Sequence, residues 1–155
     1  MELTFAEKSI QNGPTCFTPL LNKWESFESK DATILYQPGV YGGDGSENRV
    51  NICISSEDSS QKLKDYEACL TGNKCSCIKE NHIKAKLSWD KVRFWDLTNE
   101  RADKPAKLAG CRANLVFCIK GKWSSMGQTG LVVEVTDIQV TEVRETETVS
   151  PFLNP

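Results

Sequence analysis

Lysines, arginines and tryptophans recur in this chain as close neighbours. Lys84 and Lys86 are one residue apart, Lys91 and Arg93 lead into Phe94 and Trp95, and Lys120 and Lys122 lead into Trp123. Cations interleaved with flat rings are what a single-stranded polynucleotide requires, because ammonium and guanidinium groups meet phosphates while rings stack on bases. Trp123 is the sharpest case. It follows Lys122 in a stretch rich in glycine and serine, where an indole gains little packing unless it meets a flat ligand carrying negative charge. Tyr36 and Tyr41 add two rings, and Arg112 a further cation. The candidate DNA-binding set is therefore Tyr36, Tyr41, Lys84, Lys86, Lys91, Arg93, Trp95, Arg112, Lys120, Lys122 and Trp123. The plainer reading makes Lys84 and Lys86 a solvated sheet face and Trp89, Phe94 and Trp95 core; clustering argues for the functional one.

Other chemistries find less support. Cys69, Cys75, Cys77 and His82 fall within fourteen residues and supply the ligand types of a structural zinc site, but C-x5-C-x-C-x4-H matches no ribbon or knuckle spacing. No metal or cofactor is assigned. His82 is the only histidine, no G-x-S-x-G elbow occurs, and the glycines of GVYGGDGSEN lack the Lys-Ser/Thr ending of a P-loop. Asp90, Asp96 and Asp103 could hold Mg²⁺ for nuclease work, yet Lys91, Arg93 and Lys104 neutralise them. The expectation is a protein that is not an enzyme.

These residues must be positioned by strands. From Gly110 to Val140, Leu115, Phe117 and Ile119 alternate with polar or small residues, as do Leu131, Val133 and Val135, which predicts two paired strands joined through a mobile hairpin tip, Gly121–Gly130. Past Val135 the apolar phase slips to Ile138 and Val140, the mark of a β-bulge. Ala32–Gln37 reads as a strand stopped by Pro38, Arg49–Ser55 as a strand through Val50, Ile52 and Ile54, and His82–Trp89 as a strand through Ile83, Ala85 and Leu87. Val92 and Phe94 on the other parity suggest a second bulge. Ser55–Gly72 switches to helical spacing, with Leu63, Tyr66 and Leu70 on one side and Gly72 as a left-handed stop. Residues 1–31 predict a short strand and then loops, and Asn99–Lys107 a charged loop. About five strands, one helix and two bulges indicate a mainly β fold, an OB-type partly open five-stranded barrel with long loops, a β-sandwich being the alternative.

The 155 residues suit one domain, read as 1–140 with an N-terminal extension, followed by an acidic, disordered tail over 141–155. No run approaches the roughly 20 apolar residues of a membrane span. The first residues carry no secretory pattern and the seven cysteines are odd in number, so an intracellular protein with mostly reduced thiols is expected. The net charge of −2 hides an asymmetry: ten basic residues stand against four acidic ones between Lys84 and Lys122, giving that segment +6 and the rest −8.

The succession ATILYQPGVYGG, VNICISSED, KLKDYEACL, IKAKLSWDKVRFWDL and KLAGCRANLVFCIKGKWSSMGQTGLVVEVTDIQV resembles the OB-fold single-stranded DNA-binding proteins of large DNA viruses, which are similar to those of short-tailed phages. The shared layout runs from Ala32 to Val140. It implies sequence-independent binding of single-stranded DNA in replication or recombination, with single-stranded DNA as partner, replication proteins contacting the acidic tail, and the host nucleus or a viral replication site as location. A homodimer is left open. Glu142, Glu145 and Glu147 carry the sign of the DNA backbone and Phe152 offers a ring, so the tail is expected to compete for the groove. Two features depart from the pattern: Phe152 lies three residues before the end, and Cys69, Cys75 and Cys77 have no counterpart. An overall pI near 5.5 favours the rival reading, a non-catalytic barrel or sandwich that binds another protein and no nucleic acid.

Overall fold

Alternating apolar residues build most of the molecule, and the computed structural model describes residues 3–21, 24–39 and 49–143. In chain order the elements are β1 (Ile10–Asn12), β2 (Thr15–Pro19), β3 (Glu25–Ile34), β4 (Arg49–Ser55), α1 (Glu57–Glu67), β5 (Asn73–Lys74), β6 (Ile78–Lys79), β7 (His82–Ser88), β8 (Arg93–Trp95), β9 (Arg101–Ala102), β10 (Arg112–Ser125) and β11 (Gln128–Glu142). Five of them pair in a ring, β3 with β4, β4 with β7, β7 with β11, β11 with β10, and β10 back to β3. Within that ring only β7 and β11 run parallel. This is the order of the five-stranded OB barrel. Two seams leave it partly open: β3 meets β4 at Thr33↔Ser55 and Ile34↔Ile54, and β7 meets β11 at Lys86↔Glu134 and Leu87↔Val135.

The inward sets fill the interior, with Ile34, Ile52, Ile54, Leu87, Leu115, Phe117, Ile119 and Ile138 fully buried. Each such side chain contributes about 1.5–3 kcal/mol by leaving water. The expected helix is present as α1. Its N-cap Ser56 accepts a hydrogen bond from the Ser59 amide, Glu57 and Asp58 sit in its first turn, and Gly72 beyond it has φ +89°. Leu63 and Tyr66 face the barrel, where Tyr66 stacks on Phe27 and Phe27 on Phe117. The hydroxyls of Ser29 and Ser59, 2.6 Å apart, tie the start of the helix to β3.

The phase slip after Val135 is a bulge: Phe117 pairs with Val135 and Val116 with Asp137, leaving Thr136 over. Five expectations are corrected. Gly121–Gly130 is no loose connection, since the β10–β11 ladder continues to Ser125↔Gln128 and turns on Met126 and Gly127, both at positive φ. Gly121 is where β10 leaves β3 and takes up β2; a β-carbon there would run into the Thr18 carbonyl and lie 2.8 Å from the Pro19 α-carbon. The early strand is longer and starts sooner than Ala32–Gln37, because β3 begins at Glu25 and ends at Ile34, with Asp31 at φ +56° shifting its phase midway. Residues 3–21 accordingly carry β1 and β2 rather than one short strand. Val92 and Phe94 mark no bulge: a turn closed by the Lys91 and Val92 amides on the Ser88 carbonyl leads into a separate strand, β8, and β9 lies inside the expected Asn99–Lys107 loop.

Candidate nucleic-acid interface

β4 and β7 pair over seven residues, from Arg49↔Ser88 to Ser55↔His82. Val50, Ile52, Ile54, Ile83, Ala85 and Leu87 are buried, so Arg49, Asn51 and Cys53 share the outer face with Lys84, Lys86 and Ser88. None of these outward positions is acidic. Lys86 Nζ donates to Asn51 Oδ1 at 2.7 Å, across the strand pair. The carboxylate of Glu134, paired with Lys86 in the β7–β11 ladder, is buried and satisfied by Lys120 Nζ at 2.8 Å and the Ser88 hydroxyl at 3.1 Å. Among the described residues, the outward side chains of these two strands carry positive charge only.

One end is closed by the β10–β11 hairpin. Trp123 stands between Phe17 on β2 and Gly130 on β11 in the ladder and lines a cleft of about 440 Å³ together with Arg49, Asn51, Lys84 and Lys86. The other end is marked by Tyr36, 61% exposed on the segment after β3. Tyr36 lines a second cleft that shares Asn51 and Lys84 with the first, so the two adjoin. Gln37 Oε1 accepts the Leu108 amide at 2.8 Å and anchors that segment. Rings at both ends and cations between them lie on the face and loops through which OB barrels take up oligonucleotides.

The structure thus brings Tyr36, Lys84, Lys86 and Trp123 to one surface and places Lys120 beside it, in a cleft with Arg49 and Trp123. Lys120 reaches that side because it is the extra residue of a bulge between Ile119↔Val133 and Gly121↔Val132. Lys122 points the other way, 4.6 Å from the Phe5 ring. Arg93 and Trp95 lie elsewhere. Arg93 Nε sits 2.8 Å from Asp137 Oδ1, the Trp95 indole donates to the same carboxylate at 2.8 Å, and Arg101 lies over the Trp95 ring. Asp137 is seven residues along β11 from Gly130, roughly 24 Å at strand rise. Burial alone would raise the Asp137 carboxyl, but hydrogen bonds from Trp95, Thr136 and Arg93 outweigh it and hold the group below the usual carboxylate value. Arg112 is paired with Asp31 and, at 3.9 Å, with Glu142 at the end of β11. Lys91 is exposed in the turn between β7 and β8. Tyr41, Glu145, Glu147 and Phe152 lie outside the described residues.

Arg49 and Asn51 are absent from the sequence-derived set. Their signal was the outward parity of β4, readable once β4 is known to pair with β7. Among the described residues no group of three or more His, Cys, Asp or Glu side chains is placed to hold a metal ion. Glu67 organises the Cys-Ser-Cys turn, accepting the Ser76 hydroxyl at 2.6 Å and the Cys77 amide at 3.0 Å. Burial, with the Glu67 charge, pushes the Cys77 thiol up to about 12. Asp96 is occupied with its own turn, accepting the Thr98 hydroxyl and the Thr98 and Glu100 amides, and stands in no carboxylate cluster.

No family model and no curated protein matches the sequence. Solved structures do match. The chain is similar to the single-stranded DNA-binding protein of bacteriophage Enc34 in complex with single-stranded DNA, at 15% identity and TM-score 0.54 over 92% of this chain and 97% of that one. A C-terminal truncation of the same phage protein matches at 13% identity and TM-score 0.58, over 94% and 97% of the two chains. A further structure of it matches at 13% identity and TM-score 0.53, over 94% and 92%. The likeness to phage single-stranded DNA-binding proteins suggested by the sequence layout is present in the course of the backbone, and the fold of this chain is of the OB type.

Proposed function

We propose that this protein binds single-stranded DNA without regard to sequence. The observation that carries the reading is the outer face of β4 and β7, where Arg49, Lys84 and Lys86 share one surface with the rings of Tyr36 and Trp123. Phosphates meet the cations, and bases stack on the rings. Every base has a π-face, so such a site ignores sequence. The similarity to a phage protein solved with single-stranded DNA supports the same reading. The role that follows is non-catalytic: protection and presentation of single strands during replication or recombination, inside a cell and in the service of a virus, with replication proteins engaging the acidic tail.

Fluorescence polarisation with labelled oligo-dT at two salt concentrations tests this. A binder loses affinity as salt rises, since each phosphate contact on a single strand releases about 0.7 of a counterion. Absence of binding at low salt, with residues 144–155 removed, overturns the proposal in favour of a protein-interaction module.

A further inference from the structure

Trp24 is a large indole, 57% exposed, immediately before β3. Singly exposed apolar residues are ordinary, but this one is held in place and is matched to a cation. Glu25, the next residue, pairs with Ile119 in the β3–β10 ladder, so the indole is carried on a fixed strand end. Lys120 Nζ lies 4.5 Å from the centre of its ring. Lys120 also lines a cleft of about 410 Å³ with Phe17, Arg49 and Trp123. Arg49 and Trp123 in turn line the groove between β4, β7 and the hairpin. A connected path therefore leads from Trp123 past Lys120 to Trp24, and Lys120 stands about three strand residues, roughly 10 Å, from Trp123.

We propose that Trp24, with Lys120, is a second base-stacking subsite that lengthens the track for single-stranded DNA beyond the barrel groove, across the seam between β10 and β2. The subsite rests on the function proposed above. Its ligand is the same polynucleotide: a base on the open face of the Trp24 ring, whose other face is held by Lys120, itself anchored on Glu134. The path crosses the cleft that Asn12 of β1 and Phe17 of β2 help to line, which gives β1 and β2 a part in binding.

The test uses oligo-dT of graded length, across the roughly 4–16 nucleotides that one OB barrel covers, titrated against the full chain, Trp24→Ala and Trp24→Phe. Short oligomers that fill only the groove should bind all three alike. Longer ones should bind Trp24→Ala about five- to a hundredfold more weakly than the wild type, with Trp24→Phe recovering much of the loss. Photocrosslinking of 5-iododeoxyuridine oligomers to the unaltered protein should label Trp24 only at the longer lengths. Superimposable curves at every length, an equal loss at every length, or crosslinks confined to Trp123 and Tyr36 would each overturn the subsite while leaving the groove intact. Failure of the wild type to bind any oligomer overturns the groove as well.

Discussion

Trp123 and Gly130 face each other across the β10–β11 ladder, and a β-carbon on the glycine would come within 2.6 Å of the indole Nε1 and 2.8 Å of the Cys75 carbonyl. The missing side chain lets the ring settle against the hairpin backbone instead of swinging free, which fixes it at the end of the groove. A ring held in place loses less rotamer entropy on stacking than a loose one.

Trp123→Ala should therefore weaken oligo-dT binding by about 1–3 kcal/mol while moving the melting temperature little. Gly130→Ala should lower both affinity and melting temperature, because the indole and the Cys75 carbonyl cannot both stay where they are. If Trp123→Ala unfolds the protein readily yet binds normally per folded molecule, the ring is core and leaves the site.

In the proposed groove, Lys84 and Lys86 meet phosphates. Replacing each by glutamine should flatten the slope of log affinity against log salt by about 0.7, and the double variant by about twice that. Isothermal titration over a salt series reads the slope. An unchanged slope in the double variant would place the strand off this face.

Asp137 sets an acid limit. Its carboxyl is held below the usual carboxylate value, so the stability it contributes is complete above that value and is lost as pH falls through the lower folded value. Melting temperature against pH should fall below about pH 4 in the wild type and run flatter in Asp137→Asn. Arg93→Ala should lower stability and leave oligo-dT affinity unchanged, since Arg93 serves Asp137 roughly 24 Å from Trp123. A loss of affinity in Arg93→Ala would bring that end of the barrel back into the DNA track.

The tail follows the Glu142 end of β11. From Glu142 back to Glu134, opposite Lys86, is about 27 Å of strand, and Gly130 beside Trp123 is about 41 Å away. The nine residues that follow Val143, up to Phe152, span at most about 32 Å. Phe152 can thus be carried to the level of Lys86, and the Trp123 end is beyond it. Deleting 144–155 should tighten binding, most at low salt where charge competition is least screened. Superimposable low-salt curves for the truncated and full chains would remove the tail from the groove.

Alternation in β4, β7, β10 and β11 and the helical spacing of Leu63, Tyr66 and Leu70 were readable from residue types alone, because in each case one face is buried and the other is not. β3 was half hidden: Ser29 is a buried polar residue paired with Ser59, and Asp31 breaks the parity, so Glu25–Asp31 did not look like a strand. The hairpin was misjudged for a similar reason. Gly121 and Gly130 are glycines because β2 and Trp123 press against them, a tertiary cause that local composition registers only as flexibility. Of the candidate surface, Lys84, Lys86, Trp123 and Tyr36 could be named from parity and ring chemistry. The grouping of Lys91, Arg93 and Arg112 with them came from nearness in sequence, which the barrel undoes by sending β8 and the start of β10 to the far end of the long strands.

The two short seams of the barrel have a kinetic meaning. β4 and β7 carry Arg49, Lys84 and Lys86, while β10, paired with β11, carries Trp123; the two groups are joined by two paired residues at β3–β4 and two at β7–β11. Such brief ladders are where amide hydrogens exchange with solvent through small openings. A strand of DNA lying across both groups clamps those openings, so the slowest gain of deuterium on binding should appear at Thr33, Ile34, Glu134 and Val135, residues whose side chains need not touch the ligand at all.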